Sequence, residues 1–345
     1  MRISIALATY NGEKYLAKQL DSLARQSLPP CECVICDDGS TDGTLEILQA
    51  FAASAPFPVH IHRNTTRLGY RENFLRCASL CSGELIAFCD QDDVWLDHKL
   101  QKVAAAFTEH PSAALVIHQG QVVDAQSRPT GDFYPRVSRA QLQKKLTCEP
   151  WVNIPGFAMT FKRELIHCCP WDRRPADPNT FDASAAHDTW ILLMAEITGD
   201  IAFIPDNLVQ YRRHGGNTTA SIKVKKPPVP ASLAQKIRRR LARMRQEFLR
   251  HAGLFDESAQ LLLDLSTRCE ESHRDNIRSA SARYRRFAEI HWQRARIYDS
   301  DSPLRERLGC LRRLIVEDAY APWSRGGVSR RALSKDFRYL LFGSL

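Results

Sequence analysis

The stretch LIAFCDQDDVW, residues 85–95, decides the fold because an apolar run leads directly into a cluster of carboxylates. Five consecutive apolar residues predict a strand that is covered on both faces. Asp90, Asp92 and Asp93 follow within four positions, where their charges repel one another unless a cation lies among them. Mg2+ and Mn2+ prefer such oxygen ligands and commonly bind substrate phosphates as well. The alternative is a solvated acidic turn that caps the next helix.

Two earlier strand-like runs, residues 3–8 and 33–36, also end in polar turns, TYNG at 9–12 and DDGS at 37–40. Helical patterns lie between the strands, which predicts an α/β sheet with helical crossovers. Ligands bind beyond the carboxyl ends of strands in such sheets, so we expect the three turns to converge on one crevice. A carboxylate at Asp38 can accept the imide proton of a pyrimidine base, although Asp and Ser in such a turn also cap helices.

Together these segments resemble the family 2 glycosyltransferases with the GT-A fold, and their order and spacing match throughout residues 1–110. The resemblance implies a nucleotide-sugar-binding, Rossmann-like mixed sheet flanked by helices, and a divalent cation, Mg2+ or Mn2+. It implies Asp90 and Asp92 as metal ligands, with Asp92 the direct one, and it gives Asp93 a share of the metal or the donor sugar. Contacts with the donor nucleotide are expected from Thr9, Tyr10, Asn11, Asp38, Asn73 and Asp90.

The resemblance continues more weakly to about residue 220, where it indicates the catalytic base and the acceptor side. HDTW at 187–190 is similar to the family segment that carries the base, which implies Asp188. An inverting transfer needs one carboxylate to take the proton from the attacking acceptor hydroxyl. The alternative is that Asp188 only interacts with a helix dipole. Gly156 and Trp190 are expected on the acceptor side.

The segment YRRHGGN, 211–217, is similar to a loop of bacterial polysaccharide rhamnosyltransferases. Arg213 and His214 are therefore expected to contact the donor sugar or diphosphate, with His214 also a metal ligand, although an exposed basic loop would look the same. The subgroup implies a dTDP- or UDP-sugar donor, with rhamnose as one candidate sugar. The acceptor would be a glycan or lipid-linked glycan in surface polysaccharide or O-antigen biosynthesis.

The excess positive charge lies in the C-terminal third of the chain. Residues 231–345 hold 24 Lys and Arg against 14 Asp and Glu, whereas residues 1–230 hold 24 against 25. We predict a catalytic domain over 1–222, a Pro- and Lys-rich linker over 223–230 and a basic helical region over 231–345. The basic and apolar pattern at 236–255 fits either a helix in the interface of an anionic membrane or a helix packed on the catalytic domain.

Several other classes of protein are disfavoured. The eleven cysteines have no framework spacing, which predicts free buried thiols in a reducing compartment. The N-terminus lacks signal-peptide character and no run suits a spanning helix, so we expect a cytoplasmic protein, or one peripheral on the inner face of the plasma membrane.

Nucleic acid is not an expected partner, because the tail lacks a helix-turn-helix or an aromatic platform. Dinucleotide oxidoreduction is disfavoured because no GxGxxG follows the first strand. A catalytically silent nucleotide-sugar-binding scaffold stays as the alternative.

Overall fold

The computed structural model describes residues 1–167, 171–181, 183–215, 233–267, 269 and 271–342. The chain divides into two compact units. The first contains Met1–Lys145, Trp151–Asp172 and Ala185–Ile222. The second unit contains two short segments that precede residue 222, Leu146–Pro150 and Arg173–Ser184, together with Lys223–Leu345. The predicted linker over 223–230 lies outside the described residues.

Within the described residues, a ten-stranded mixed sheet forms the centre of the first unit. The strands are β1 (Ile3–Thr9), β2 (Glu32–Asp37), β3 (Val59–Arg63), β4 (Leu85–Cys89), β5 (Val94–Trp95), β6 (Ala113–Val123), β7 (Pro129–Phe133), β8 (Gln141–Gln143), β9 (Met159–Lys162) and β10 (Asp200–Arg212). Their order is β3-β2-β1-β4-β9-β6-β10-β5, with β7 beside β6 and β8 beside β10. β1 pairs in parallel with β2 and β4, whereas β9 runs antiparallel between β4 and β6. The predicted mixed α/β sheet is confirmed.

Helices connect and cover these strands. They are α1 (Glu13–Ala24), α2 (Thr44–Ser54), α3 (Tyr70–Ser79), α4 (Lys99–Glu109), α5 (Glu164–His167) and α6 (His187–Thr198). In α1 the side chains of Leu16, Leu20 and Leu23 are buried, as their helical spacing predicts. Because β2, β1 and β4 are parallel neighbours, the turns that follow them lie at one edge of the sheet.

The polar sequence over 127–147 favours a loop with some helix, but this region contributes β7 and β8 to the sheet. All five residues of β7 are exposed, so this strand has no apolar alternation for sequence analysis to detect. The apolar run at 201–204 predicts only a short strand, but in the structure this strand, β10, extends to Arg212. Backbone pairing with β6 holds that extension through two register shifts. Both errors arise because pairing with a neighbouring strand, not side-chain pattern, determines these segments.

The described part of the second unit is largely helical. Its longer helices are α7 (Leu233–Ser266), α8 (Glu271–Ile297), α9 (Leu304–Val316) and α10 (Arg330–Phe342). On α7, Leu241, Phe248 and Phe255 are buried. The Phe255 ring lies 5.4 Å from the ring of Phe287 on α8, between centroids. The apolar side of residues 241–255 therefore packs inside its own unit and is not available to a membrane interface, which corrects one of the two alternatives for this stretch.

The structure describes nine cysteines, and none of these nine forms a disulfide. Six of the nine are buried: Cys33, Cys36, Cys77, Cys81, Cys89 and Cys148. Among the helices that the structure describes, none has the length and hydropathy needed to cross a membrane.

Candidate functional site

The turns after β1 and β2 are tied into one body by hydrogen bonds. Asn11, in a left-handed conformation with φ 49°, donates its backbone N–H to the Ser40 hydroxyl at 2.9 Å. The Asn11 side-chain oxygen accepts from the Thr41 backbone N–H at 2.9 Å, and the Gly12 N–H donates to the Thr44 hydroxyl at 2.8 Å. Asn11 suits this position because Asn tolerates a positive φ better than most residues do. Asn11 thus holds the two turns together.

The turn after β4 joins them through Gln91. Its side-chain oxygen accepts from the Tyr10 N–H at 2.9 Å, and its side-chain nitrogen donates to the Tyr10 carbonyl at 3.0 Å. A Cβ at Gly12 would collide with the Gln91 side chain, so this approach requires glycine there. The predicted convergence of the three turns is confirmed. The sequence analysis assigned no role to Gln91, although it stands among the carboxylates that attracted attention.

The Tyr10 ring forms one wall of the site. The Arg67 guanidinium lies 3.9 Å from the centroid of this ring, within the range of a cation–π contact. Thr9 is buried beside it, and its hydroxyl donates to the Asp37 carboxylate at 3.1 Å. Tyr10 and Arg67 together offer a flat surface with a positive charge, which suits an aromatic base beside a phosphate.

Asp38 is buried and holds the loop that carries Arg67. Its carboxylate accepts from the Asn64 amide at 2.7 Å and from the backbone N–H groups of Leu68 and Gly69 at 2.7 and 2.8 Å. Asn73, also predicted to contact the donor, is buried and accepts from the same Asn64 amide at 2.8 Å. In this conformation, Asp38 and Asn73 shape the loop rather than present open side chains.

Asp92 and His214 meet although they lie far apart in the sequence. The His214 Nε2 is 2.8 Å from an Asp92 carboxylate oxygen, and both side chains are partly exposed. The His214 ring packs against the Tyr15 ring with centroids 4.7 Å apart. These two predicted metal ligands therefore face each other. The loop that follows, from Gly216 onward, lies outside the described residues.

Asp93 has a different position from the one expected. Its side chain is 0 % exposed, and one oxygen accepts from the Arg212 backbone N–H at 2.9 Å. Burial, then the charges of Asp92 and Asp90, raise the pKa of Asp93 well above its usual value. The prediction that Asp93 contacts the donor sugar or the metal is therefore not supported by this geometry. Asp93 instead joins β10 to the acidic turn, and Arg212 adds a 2.8 Å hydrogen bond from Nε to the Asp92 carbonyl.

Asp90 and Asp188 are close enough to influence each other. Asp188 lies in the first turn of α6, where one carboxylate oxygen accepts from the Thr189 N–H at 2.7 Å. Burial, followed by the charges of Asp92 and Asp188, raises the pKa of Asp90 to about 8. Burial likewise raises the pKa of Tyr134, with Asp188 adding to the shift. The structure thus brings the predicted base to the edge of the acidic turn.

Lys99 is a site residue that sequence analysis missed. Its side chain is 0 % exposed, donates to the Phe157 carbonyl at 2.8 Å and lies 3.6 Å from the centroid of the Trp95 ring. Burial lowers the pKa of Lys99 to about 7, although the charges of Asp93 and Asp90 oppose that shift. This amine is a positive counter-charge behind the acidic turn. As the first residue of an amphipathic helix, it gave no sequence signal of burial.

The residues predicted on the acceptor side are buried. Gly156 packs so closely that a Cβ there would lie 2.7 Å from the His187 Nε2, and His187 stacks on Phe74 at 4.1 Å between centroids. Trp190 is only 1 % exposed. Neither Gly156 nor Trp190 therefore offers a surface to an acceptor, which corrects that prediction. Arg213 is exposed, and its backbone N–H donates to the β6 carbonyl of Val123 at 2.8 Å.

The acidic turn does not by itself form a complete metal cage. Among the described residues, no group of three or more His, Cys, Asp or Glu side chains is arranged to hold an ion. Mg2+ is commonly bound through one or two carboxylates, with water and substrate phosphates completing its coordination. Asp92 offers one such carboxylate, and the His214 imidazole faces it.

Comparisons with known proteins agree with this arrangement. The family Glycosyl transferase family 2 matches residues 4–168. The uncharacterized glycosyltransferase alr2836 of Nostoc sp. is 28% identical over 225 residues, which cover 64% of this chain and 67% of that protein. The uncharacterized protein Rv1520 of Mycobacterium tuberculosis is 29% identical over 216 residues, covering 61% and 59%. The chain thus matches less than two thirds of the length of Rv1520.

A solved structure shares the fold more widely. The structure of Staphylococcus aureus TarS 1–349 in complex with UDP-GlcNAc superposes with a TM-score of 0.52 at 19% identity, covering 98% of this chain and 92% of that one. At this identity the likeness concerns the fold alone. The family match over residues 4–168, the mixed sheet and the three converging turns lead to one assignment: this part of the chain is a glycosyl transferase family 2 domain with the GT-A fold.

Proposed function

We propose that the protein transfers a sugar, with inversion, from a nucleoside-diphosphate donor to an acceptor hydroxyl, and that the transfer requires Mg2+ or Mn2+. One observation carries the proposal. Asp90 and Asp92 share one turn beside Tyr10, and Asp188 and His214 come from two distant parts of the chain to the same turn. The departing diphosphate needs the cation that Asp92 and His214 would hold, and the attacking hydroxyl needs a base such as Asp188. The nucleotide needs the neighbouring Tyr10 turn.

The metal would be held by Asp92 and His214, whose facing atoms are 2.8 Å apart. The bound cation would neutralise charge on the departing diphosphate. The raised pKa of Asp90 supports the same arrangement. Ionisation of this buried carboxyl is costly in the absence of a cation and becomes favourable beside one. When protonated, the buried Lys99 amine offsets part of the negative charge of the acidic turn. It is bound to the Phe157 carbonyl and does not occupy the space between Asp92 and His214. Arg213, exposed beside His214, would contact the diphosphate.

Asp188 would accept the proton of the acceptor hydroxyl. The hydrogen bond from the Thr189 N–H and the position in the first turn of α6 both favour the ionised carboxylate that a general base needs. Its influence on the pKa of Asp90 supports a position close to the acidic turn. The proton therefore moves from the acceptor oxygen to a carboxylate oxygen of Asp188 while the hydroxyl attacks the anomeric carbon.

The nucleotide would lie against Tyr10, with the Arg67 charge beside it. Thr9, Asn11, Asp38 and Asn73 hold the surrounding turns, and Asp38 keeps acceptor capacity for an imide proton. TarS binds UDP and UDP-GlcNAc on a similar fold, which supports a pyrimidine donor here, either a UDP- or a dTDP-sugar. We propose rhamnose as one candidate sugar. The acceptor is a glycan or lipid-linked glycan of a surface polysaccharide.

A panel of nucleotide sugars incubated with Mn2+, with Mg2+ or with EDTA tests the proposal. We expect donor consumption only with a divalent cation. Asp92→Asn should lower turnover at least about a hundredfold and Asp188→Asn by about 10²–10⁴, with donor affinity retained in the second variant. Asp97→Asn, at an exposed carboxylate just beyond the acidic turn, is the matched control and should be unaffected.

Three results would contradict this assignment. Turnover that persists in EDTA would exclude the cation. Full transfer by Asp188→Asn would assign the base to another residue. Donor binding without any consumption across the panel would indicate a silent nucleotide-sugar-binding scaffold instead of an enzyme.

A further inference from the structure

Helix α9 carries apolar side chains that the fold leaves exposed. Leu304, Leu308 and Ile315 are 47 %, 44 % and 51 % exposed. Their spacing of four and seven residues aligns them on one face of the helix. Leu311, on the same line, is buried, so this face runs along the border between the interior of the unit and solvent. We call Leu304, Leu308 and Ile315 the α9 stripe.

Positive charges flank the α9 stripe. Arg305 and Arg312 are exposed, lie seven residues apart and therefore form a row beside it. Helix α10 packs against α9, and its Arg331, Lys335 and Arg338 recur at helical spacing. Those three cations line a cavity of about 320 Å³ together with Ser334 and Tyr339. Exposed apolar groups and cations thus occur together on neighbouring helices.

We propose that the α9 stripe and its arginine row bind the surface of an anionic phospholipid membrane. A helix with an apolar stripe bordered by arginines can lie in the interfacial plane, with leucines among the acyl chains and guanidinium groups at lipid phosphates. An anionic polymer would satisfy the charges but leave the stripe in water. A second copy of the chain meeting this face about a two-fold axis would bring two arginine rows together, which charge repulsion opposes.

This assignment differs from the one that the sequence pattern favoured. Within the basic stretch, the apolar side of residues 241–255 is buried inside the unit, with Phe255 packed against α8, so these apolar side chains are not free to enter a membrane. The inference is also independent of the proposed transfer reaction, because membrane binding requires neither donor nor cation. A negative result in either experiment leaves the other intact.

The test is co-sedimentation of the full chain with vesicles of phosphatidylcholine alone or of phosphatidylcholine mixed with phosphatidylglycerol. We expect binding only to the anionic vesicles, weakening as salt rises. The double variant Leu308→Glu, Ile315→Glu should lower the partition coefficient by about a hundredfold, from lost apolar burial and added negative charge. Leu80→Glu is the matched control, since Leu80 is 43 % exposed but belongs to the first unit.

A second pair of variants separates charge from apolar contact. Arg305→Gln, Arg312→Gln should lower binding at low salt about thirtyfold, whereas Arg136→Gln, Arg139→Gln in the first unit should not. Because all these side chains are exposed, the variants should fold, which circular dichroism checks. Leu308→Gln, Ile315→Gln is available if the charged version does not fold.

Three outcomes would overturn the proposal. The first is equal binding by the stripe variant and the Leu80 control. The second is equal binding to neutral and anionic vesicles. The third is sedimentation showing that the wild-type chain self-associates and does not bind vesicles, while the stripe variant is monomeric, which would make this face an interface between copies.

Discussion

Replacing Gln91 by alanine would test whether the Tyr10 turn is ordered in advance for the donor. The Gln91 amide makes two hydrogen bonds with the Tyr10 backbone, at 2.9 and 3.0 Å. Gln91→Ala therefore frees both backbone groups and leaves a void beside Gly12, where the Gln91 side chain now packs.

The expected magnitude follows from those two bonds. Each contributes about 1 kcal/mol to stability, so about 2 kcal/mol of turn ordering is lost. If the donor must then order the turn itself, its affinity falls by the same free energy, which is about thirtyfold. The conservative variant Gln91→Glu keeps an acceptor for the Tyr10 N–H but cannot donate to the Tyr10 carbonyl. It should lose about half of that free energy, before its added charge near Asp90 is considered.

The assay is steady-state donor consumption, with the KM for the donor and kcat measured separately, together with thermal unfolding. Gln91→Ala should raise the KM about thirtyfold and change kcat much less, because the acidic residues and Asp188 stay in the protein. A KM equal to that of the wild type, in a variant that shows the expected loss of stability, would refute the view that Tyr10 is positioned for the donor.

Three further changes test other parts of the structure. Asp336→Asn breaks a buried ion pair with Arg294, at 2.7 Å, and should lower the free energy of unfolding by about 3–5 kcal/mol, measured by chemical denaturation. Burial lowers the pKa of His291 to about 3, so the unfolded chain binds more protons below its ordinary value near 6.5. Stability should therefore fall by about 2 kcal/mol between pH 7.5 and pH 5, and His291→Gln should remove this dependence. Gly156→Ala places a methyl 2.7 Å from the His187 Nε2 and should cost about 1–3 kcal/mol and reduce transfer, since the strain falls next to Asp188.

Sequence pattern was reliable where burial and period coincide. The strands β1, β2 and β4 lie within a few residues of the predicted runs, because each of them is largely apolar in sequence. The helices between them follow from their amphipathic pattern. The acidic turn was identifiable because a purely structural role rarely accounts for three carboxylates so close together in the sequence. β7 and most of β10 were missed because their strand character depends on pairing with β6.

The sequence by itself determined the sheet edge and the acidic turn, because these follow from local residue order, whereas the candidate base Asp188 was named through the family resemblance of HDTW and stays a prediction. Only the tertiary structure decided how the polar side chains divide their work. It brought His214 to Asp92, buried Asp93 against Arg212, and placed the buried amine of Lys99 behind the turn. It also buried the apolar side of residues 241–255 on α7 and left Leu304, Leu308 and Ile315 of α9 exposed, although both helices look amphipathic in sequence. The physical reason is the same in each case. The burial and the hydrogen bonds of a side chain depend on which distant segment packs against it, and the local sequence does not specify that segment.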